Sequence, residues 1–188
     1  MITLNRPYRI STKGVIPADT LYDRNIKWLY SSREGLNMIY QHFYKERGSL
    51  CVAVSPLTCF VALYPIINNG HTIQFVDINP STFNIDEDKL TKLNDVDVIQ
   101  LIYLGGNPIA IDKILPWATA NDVVIVEDCA QALGSIYQGL PVGTFGDYAV
   151  YSSVKNLYAV AGGFILSTQT INSDTIFKVH TWDTTKST

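Results

Sequence analysis

The amino-acid sequence predicts an α/β domain built around a mostly parallel β-sheet. Short apolar runs bounded by turn residues recur along the chain and are typical of strands buried on both faces: 50–54, 72–76, 98–103, 123–126, 148–151 and 164–166. Between several of these runs lie segments with apolar residues at helical spacing: 36–43, 56–67, 86–93 and 111–120. Strands that alternate with helices favour a parallel sheet, because each helix carries the chain back to the start of the next strand.

Two of the predicted helices contain a proline. Pro65 lies in the second helix and Pro116 lies in the fourth. Proline lacks the N–H that would bond to the preceding turn, and its ring clashes with that turn. We therefore expect each helix to kink at its proline or to end early.

The composition limits the classes of partner. At 188 residues, with 47% hydrophobic and 16% charged residues, the chain is long enough for one well-buried domain and too short for two of ordinary size. Its formal net charge of −3, with Lys and Arg scattered, argues against binding nucleic acid. No apolar run approaches the roughly 20 residues of a membrane span, and residues 1–13 lack the apolar core of a signal peptide. We expect a cytoplasmic protein with no membrane partner.

The three cysteines predict neither disulfides nor a metal site. Cys51, Cys59 and Cys129 are odd in number, each lies in an apolar stretch, and none belongs to a Cys-x-x-Cys pair. Free cysteine is among the most buried residue types. We expect all three to be reduced residues of the core, and we expect no bound metal.

The two ends of the chain differ from its middle. We divide the chain into an N-terminal segment, 1–30, a central domain, 31–167, and a tail, 168–188. The tail turns polar and Thr-rich without clear periodicity. We expect it either to be partly disordered or to pair with another chain.

Functional residues of a parallel sheet gather at the carboxyl ends of its strands, where loops vary on a rigid scaffold. One candidate is Ser31-Ser32-Arg33-Glu34-Gly35, which opens the first helix with Ser31 and Glu34 at capping-box spacing. It either is only a capped helix start or binds an anion such as phosphate through free backbone N–H groups and the helix dipole. Arg33 would add positive charge, whereas Glu34 would oppose the anion unless its side chain turns back to the cap.

Two further candidates lie later in the chain. Glu127 and Asp128 follow an apolar strand, where Asp128 either serves a ligand or caps a following short helix. Lys155 is the only charged residue between Asp147 and Asp174, so we expect it to be buried. Burial of a Lys disfavours the ammonium form and gives a nucleophilic amine suited to a Schiff base. The alternative is an ordinary loop Lys whose amine reaches water.

Three blocks of sequence carry a resemblance to a known family: Val124-Ile-Val-Glu-Asp-Cys-Ala-Gln-Ala-Leu-Gly134, Gly143-Thr-Phe-Gly-Asp147 and Tyr151-Ser-Ser-Val-Lys-Asn156. In this order and spacing they resemble the DegT/DnrJ/StrS-type sugar aminotransferases, a branch of the fold type I enzymes that use pyridoxal 5'-phosphate (PLP). The resemblance runs from about Ser31 to Ser167. It implies the family's PLP-binding large domain, a three-layer sandwich with a mostly parallel sheet. We expect the family's small C-terminal domain to be absent.

The resemblance implies a role for each matching residue. Lys155 would form a Schiff base with PLP and later move a proton between substrate and cofactor, and Asp128 would pair with the pyridine nitrogen and keep it protonated. Gln131 matches a His or Gln that lies against the ring near its phenolic oxygen. Where many members stack an aromatic ring on the cofactor, this chain has Cys59 with Phe60 adjacent, and either could face the ring.

The resemblance also assigns the cofactor phosphate. It would be held by Ser32, Arg33, Glu34 and either Ser152 or Ser153. Family members commonly have a longer insert before the Lys, so either serine fits. After the Lys, the usual Gly-Glu-Gly-Gly is replaced by Val160-Ala-Gly-Gly163, which keeps only the last two glycines.

The implied activity is a PLP-dependent transamination. An amino group, usually from glutamate, would pass to a keto group on a nucleotide-linked sugar during polysaccharide or secondary-metabolite synthesis. The family builds each active site from two subunits, so we expect a homodimer. An alternative is a shortened, non-catalytic relative that binds PLP or a partner chain. A dehydratase or an epimerase-like member is less favoured, because the dehydratase branch generally gives up the Lys that Lys155 matches.

Overall fold

The computed structural model describes residues 24–171, so most of the predicted N-terminal segment and most of the predicted tail lie outside the described residues. The helices are α1 (Ser32–Arg47), α2 (Phe60–Asn68), α3 (Glu87–Leu90), α4 (Ile111–Ala120) and α5 (Ser153–Leu157). The strands are β1 (Asn25–Leu29), β2 (Cys51–Val54), β3 (Thr72–Phe75), β4 (Val98–Ile102), β5 (Val124–Cys129), β6 (Ile136–Tyr137), β7 (Leu140–Pro141), β8 (Tyr148–Ser152) and β9 (Gly163–Ser167). A short 3₁₀ turn, Leu104–Gly106, follows β4.

Seven strands form one sheet in the order β1-β9-β8-β5-β4-β2-β3. The neighbours from β3 to β8 pair in parallel, whereas β9 pairs antiparallel with both β8 and β1. Parallel neighbours need a crossover that returns the chain to the same edge of the sheet, and the helices supply most of these crossovers. β6 and β7 pair with each other as a hairpin. The predicted α/β fold with a mostly parallel sheet is confirmed.

The core has two halves, one on each face of the sheet. Successive residues of a strand point to opposite faces, so Ile125 of β5 joins one half and Val126 joins the other. The first half packs under α4 through Ile111 and Ile114. The second half packs under α1 and α2 through Leu36, Ile39, Phe43 and Ile66. The domain therefore has three layers, with the sheet between two layers of helix, as predicted.

Both ends of α1 are fixed by caps, which makes it longer than the predicted 36–43. The Ser31 side chain is the N-cap and accepts a hydrogen bond from Glu34 N at 3.2 Å. At the other end, Gly48 has a φ of 77° and donates its N–H to Tyr44 O. A residue with positive φ ends a helix, because the chain leaves the helical path there. Since β1 runs parallel to β8, α1 begins at the carboxyl edge of the sheet.

Neither proline ends its helix, so the expectation of early ends is wrong. α2 continues three residues past Pro65, and α4 continues four residues past Pro116. In each helix the proline is the sixth residue, so it removes one hydrogen bond close to the N-terminal end. Pro65 and Ile66 are both buried, and this packing offsets the loss. α2 begins at Phe60 rather than at the predicted residue 56, and residues 56–58 form bends before it.

Only one of the three cysteines is a core residue, so the expectation for the set is wrong. Cys129 is buried, Cys51 is half-buried and Cys59 is exposed at the start of α2, and all three are free. Over residues 24–171, no group of His, Cys, Asp or Glu side chains could hold a metal ion. In the same part of the chain no helix has the length and apolar character needed to cross a bilayer.

Gly163 allows three elements to meet beside the start of α1. A Cβ at this position would lie 2.5 Å from Tyr151 O and 2.9 Å from Ser32 N. Both are backbone atoms in a close-packed region, so neither can move without shifting β8 or the first turn of α1. Glycine is therefore required where β8, β9 and α1 approach each other.

We predict that Gly163→Ala lowers the free energy of unfolding by about 3 kcal/mol, because the added methyl group overpacks backbone atoms. The control is Gly139→Ala in the β6–β7 turn, where no atom of the described residues, other than the glycine and its chain neighbours, lies within 4 Å of the added Cβ. There only the positive φ is unfavourable, at a cost of about 1 kcal/mol. Urea unfolding followed by circular dichroism measures both variants. Equal losses would contradict the close approach at Gly163.

Candidate active site

A cleft opens at the carboxyl ends of β4 and β5, between the first turns of α1 and α2 and the short helix α5. Six of the residues predicted for the site line it: Ser32, Arg33, Cys59, Asp128, Gln131 and Lys155. They come from separate segments of the chain, and the parallel sheet brings those segments together because its strands end at one edge. A wider groove at the amino ends of β5 and β8 contains none of them. The individual roles of the six residues stay predictions.

Asp128 lies near the end of β5 and is 6% exposed. Its Oδ1 accepts a hydrogen bond from Ala130 N at 3.0 Å. Burial raises the pKa of Asp128, while the Ala130 N–H and the positive charge of Lys155 offset part of that shift. Ionising the Asp128 carboxyl group is therefore unfavourable when the cleft is empty, and a cation placed in the cleft would stabilise the ionised form. The helix-cap alternative is wrong, since residues 130–134 form turns and no helix begins there.

Lys155 lies on α5 and is exposed, so the expectation of a buried Lys is wrong. α5 has five residues and none of them is buried. A helix of this length has too little apolar surface to cover a long side chain. Lys155 nevertheless lines the cleft together with Asp128, and its charge acts on that carboxylate. Any special reactivity of the amine would come from this placement and not from burial.

The start of α1 forms one wall of the cleft through Ser32 and Arg33. Glu34 N donates to Ser31 Oγ, and Glu34 Oε2 accepts a hydrogen bond from Tyr30 N at 2.9 Å. The Glu34 carboxylate is thus turned back toward the cap, and the backbone N–H of Glu34 is already hydrogen-bonded. Glu34 does not line the cleft. The N–H groups of Ser32 and Arg33 cannot bond within the helix and are available to an anion at the positive end of the helix dipole.

Neither serine before Lys155 is among the residues that line the cleft, and the choice between them for the cofactor phosphate stays a prediction. Ser152 is buried at the end of β8. Ser153 is half-buried, and its N–H donates to Gly162 O at 3.0 Å. Gly162 N in turn donates to Tyr30 O, so the start of α5 is linked to the residues just before α1. The first turn of α1 and one of these serines stay the predicted phosphate site.

Cys59, and not Phe60, borders the cleft. Cys59 precedes the first turn of α2 and lines the cleft. Phe60 is 66% exposed and contacts Tyr64, with ring centroids 6.1 Å apart. The aromatic side chain therefore lies outside, and the thiol occupies the position next to the cleft. Gln131 also lines the cleft, and its Oε1 accepts a hydrogen bond from Gly105 N at 2.7 Å.

Leu104 and Asn156 are not among the residues predicted for the site from the sequence. Leu104 lines the cleft from the 3₁₀ turn after β4. Gly105 and Gly106 reverse the chain there with φ of 62° and 80°, so the glycine pair was the available signal for this turn. Asn156 donates from Nδ2 to Ala130 O at 2.8 Å and so contacts the turn that follows Asp128. Its position next to Lys155 was the only signal for it.

Glu127 is held by several hydrogen bonds within the protein, whereas its neighbour Asp128 accepts one described hydrogen bond. Its carboxylate is fully buried and accepts four hydrogen bonds, from Tyr103 Oη at 2.6 Å, Gly143 N at 2.7 Å, Phe145 N at 2.9 Å and Gly146 N at 2.6 Å. Burial raises the pKa of Glu127, and these donors offset part of the shift. Adjacent residues of a strand point to opposite faces. Glu127 therefore holds the loop before β8, while Asp128 faces the cleft.

We predict that Asp128→Asn keeps or slightly raises the free energy of unfolding at neutral pH when no ligand is present. The raised pKa means that the folded chain binds this proton more tightly than the unfolded chain, so stability is lost as the pH rises through the folded pKa. Asn carries no charge, and its Oδ1 can keep the Ala130 contact. Urea unfolding over a pH series should show that the variant and wild type have the same free energy of unfolding below the pKa that Asp128 has in the unfolded chain. A variant less stable than wild type at neutral pH would contradict this account.

The chain matches the family model described as the DegT/DnrJ/EryC1/StrS aminotransferase family over residues 30–186. GDP-perosamine synthase of Escherichia coli O157:H7 is 34% identical over 115 residues, which cover 59% of this chain and 31% of that protein. Among solved structures, the sugar aminotransferase CalS13 from Micromonospora echinospora has a TM-score of 0.70 and 30% identity, over 77% of this chain and 42% of that chain.

A dehydratase shares the same fold. The E. coli GDP-4-keto-6-deoxy-D-mannose-3-dehydratase with bound hydrated PLP has a TM-score of 0.73 and 23% identity, over 81% of this chain and 41% of that chain. The chain thus spans from 31% to 42% of the length of these three relatives. PLP is the cofactor of the family, as the resemblance implied. On the match over most of its length, this chain belongs to the DegT/DnrJ/EryC1/StrS aminotransferase family.

Proposed function

We propose that this chain binds PLP in the cleft and takes part in transferring an amino group, with glutamate as donor, to a keto group on a nucleotide-linked sugar in the cytoplasm. The observation that carries the proposal is that Lys155 and Asp128 line one cleft with the first turn of α1. The substrate class is supported by the relatives, which include a GDP-perosamine synthase and a sugar aminotransferase. Those relatives are longer than this chain, so the complete reaction is part of the proposal.

The cleft offers partners for three polar groups of PLP: the phosphate, the pyridine nitrogen and the aldehyde. A phosphate needs N–H donors and positive charge, and the first turn of α1 offers both through Ser32 and Arg33. A protonated pyridine nitrogen needs a carboxylate, which Asp128 offers, and an aldehyde needs an amine, which Lys155 offers. When bound, PLP supplies the electron sink that stabilises a carbanion on the substrate.

Asp128 would hold a proton on the ring nitrogen of the cofactor. Without a cation nearby, burial favours the protonated carboxyl group, as its raised pKa indicates. A positive ring nitrogen in the cleft supplies the opposite charge and favours the ionised carboxylate. The Ala130 N–H already fixes Oδ1, so the carboxylate is oriented by the end of β5 before any ligand arrives.

Lys155 would attach the cofactor through Nζ and afterwards carry a proton at that atom between two carbon positions. Its exposed place on α5 leaves the amine accessible from the cleft. The presence of a Lys at this position also favours an aminotransferase over a dehydratase, since the resemblance implies that dehydratases generally lack it.

Apolar side chains are exposed beside the cleft. Phe60, Tyr64 and Ile67 are exposed on α2, and Tyr158 and Val160 after α5 are 85% and 93% exposed. Where exposed apolar groups adjoin one another in a contiguous patch, they are typical of an association surface. We propose that a second copy of the chain covers them in a homodimer, because a two-fold contact places the same surface of each copy against the other.

We predict that borohydride traps added PLP on Lys155, because this amine shares the cleft with Asp128. The labelled peptide is identified by mass spectrometry, and Lys155→Ala should remove the label. The matched control is Lys113→Ala, which changes a half-exposed lysine on α4 whose amine lies 4.0 Å from Asp88. Label on another lysine, or none, contradicts the assignment.

The same preparation tests turnover with glutamate and a nucleotide-linked keto sugar. Asp128→Asn should still bind PLP but slow amino transfer about 100-fold or more, as for other preorganised electrostatic contacts. Wild-type rates in this variant would show that Asp128 does not act on the cofactor. Label on Lys155 without amino transfer in wild type would identify a non-catalytic PLP-binding relative.

We predict that the chain sediments as a dimer at micromolar concentration and that Val160→Glu weakens the dimer about tenfold or more, since a charge would be buried in an apolar contact. Leu140→Glu on the β6–β7 hairpin is the control, because Leu140 is also exposed but lies away from the cleft. A wild-type monomer, or equal weakening by both changes, would rule out this surface.

A further inference from the structure

We propose that Asn156 is a positioning residue that fixes Lys155 relative to Asp128 by tying α5 to the turn after β5. Its Nδ2 donates to Ala130 O at 2.8 Å and to Ser152 O at 3.0 Å. The proposal rests on the proposed function of Lys155 and Asp128, and it adds a residue that touches neither the cofactor nor the substrate.

α5 has little to hold it in place by itself. It contains five residues, none of them buried, and no side chain caps its N-terminus. Tyr158 ends the helix with a φ of 51°, a left-handed conformation that is unfavourable for a residue other than glycine. A single helical turn is also costly to form, because it fixes several residues for few hydrogen bonds. The segment that carries Lys155 therefore needs an anchor outside itself.

Asn156 supplies that anchor. Ser153 N donates to Gly162 O, and Ala159 N donates to Ser153 O. Gly162 N donates in turn to Tyr30 O, so these contacts tie the segment to the residues just before β9 and α1 but not to β5. Within residues 24–171, the hydrogen bond from α5 to the turn after β5 is the one made by the Asn156 amide. An amide nitrogen carries two hydrogens, so it can serve both carbonyl groups at once.

Ala130 connects the two predicted catalytic residues. Its N–H donates to Asp128 Oδ1 at 3.0 Å, while its carbonyl accepts from Asn156. Ala130 is buried, so both contacts are shielded from water and are costly to lose. One residue thus orients the Asp128 carboxylate on one side and fixes the helix of Lys155 on the other. The separation between amine and carboxylate is therefore set by this short chain of hydrogen bonds.

Two substitutions distinguish the hydrogen bonds of the Asn156 amide from the size of its side chain. Asn156→Ala removes both hydrogen bonds, and Asn156→Asp keeps the size but places a carboxylate oxygen against two carbonyl oxygens. The matched control is Asn121, whose Nδ2 donates to Trp117 O at 2.8 Å, four residues earlier, at the end of α4. Asn121 thus makes the same kind of contact that Asn156 makes with Ser152 O, to a carbonyl group four residues earlier. It makes no hydrogen bond like the one from Asn156 to Ala130 O in the turn after β5.

Chymotrypsin cleavage after Tyr158 under native conditions, at a protein concentration low enough to dissociate the proposed dimer, measures the anchoring, because Tyr158 is exposed in the single chain and follows α5 directly. Both Asn156 variants should be cleaved about tenfold faster than wild type, since cleavage requires local opening of the segment. The Asn121→Ala and Asn121→Asp variants should be cleaved at the wild-type rate. Wild-type cleavage of the Asn156 variants would overturn the proposal.

PLP titration and trapping on Lys155 measure the consequence for the site. Asn156→Ala should bind PLP about tenfold more weakly, with a melting temperature close to that of Asn121→Ala, which a general loss of stability would not produce. Unchanged PLP affinity would overturn the positioning role. If wild type traps no PLP on Lys155, the proposed function fails, and the cleavage rates still decide whether Asn156 anchors α5.

Discussion

The Glu127 carboxylate must be fully hydrogen-bonded, because a buried charge without donors costs several kcal/mol or more. Its donors are Tyr103 at the end of β4 and three backbone N–H groups of the loop that leads into β8. Satisfying this one group therefore fixes the ends of β4 and β5 and the entry of β8 relative to each other. Asp128 has the opposite character, since it accepts one described hydrogen bond and gains from a ligand cation. Because they face opposite sides of one strand, Glu127 holds the loop before β8 and Asp128 lines the cleft.

The central strands are predictable from the sequence, and the edges of the fold are not. β4 and β5 are buried on both faces, which produces the continuous apolar runs that the sequence shows. In β1, four of five residues are exposed, and its strand partner is β9. Backbone pairing therefore defines this strand, and burial of its side chains does not. The β6–β7 hairpin has strands of two residues each, too short for any alternation.

The site is predictable in its location and in the residues of its motifs, whereas the burial of side chains is not. The neutral stretch around Lys155 suggested burial, yet Val154 and Leu157 are exposed on α5 together with it. Absence of charge in a sequence does not distinguish a core from an exposed apolar surface. The sequence also could not place Ser152 and Ser153, because a strand end can turn a side chain toward either side. The turned-back carboxylate of Glu34, in contrast, follows from its spacing to Ser31.

The pairing of β1 with β9 has a consequence for synthesis on the ribosome. Asn25 is opposite Ser167 and Leu29 is opposite Gly163, so the first described strand joins the last. Nearly the whole described chain must emerge before this pair can form, and pairings so distant in sequence slow folding. Until then α1 lacks the strand beside its first turn, although Val52, Ile66 and Val98 of the same apolar cluster have already emerged and can cover part of its apolar face. The wall of the cleft formed by Ser32 and Arg33 is thus among the last parts of the domain to be completed.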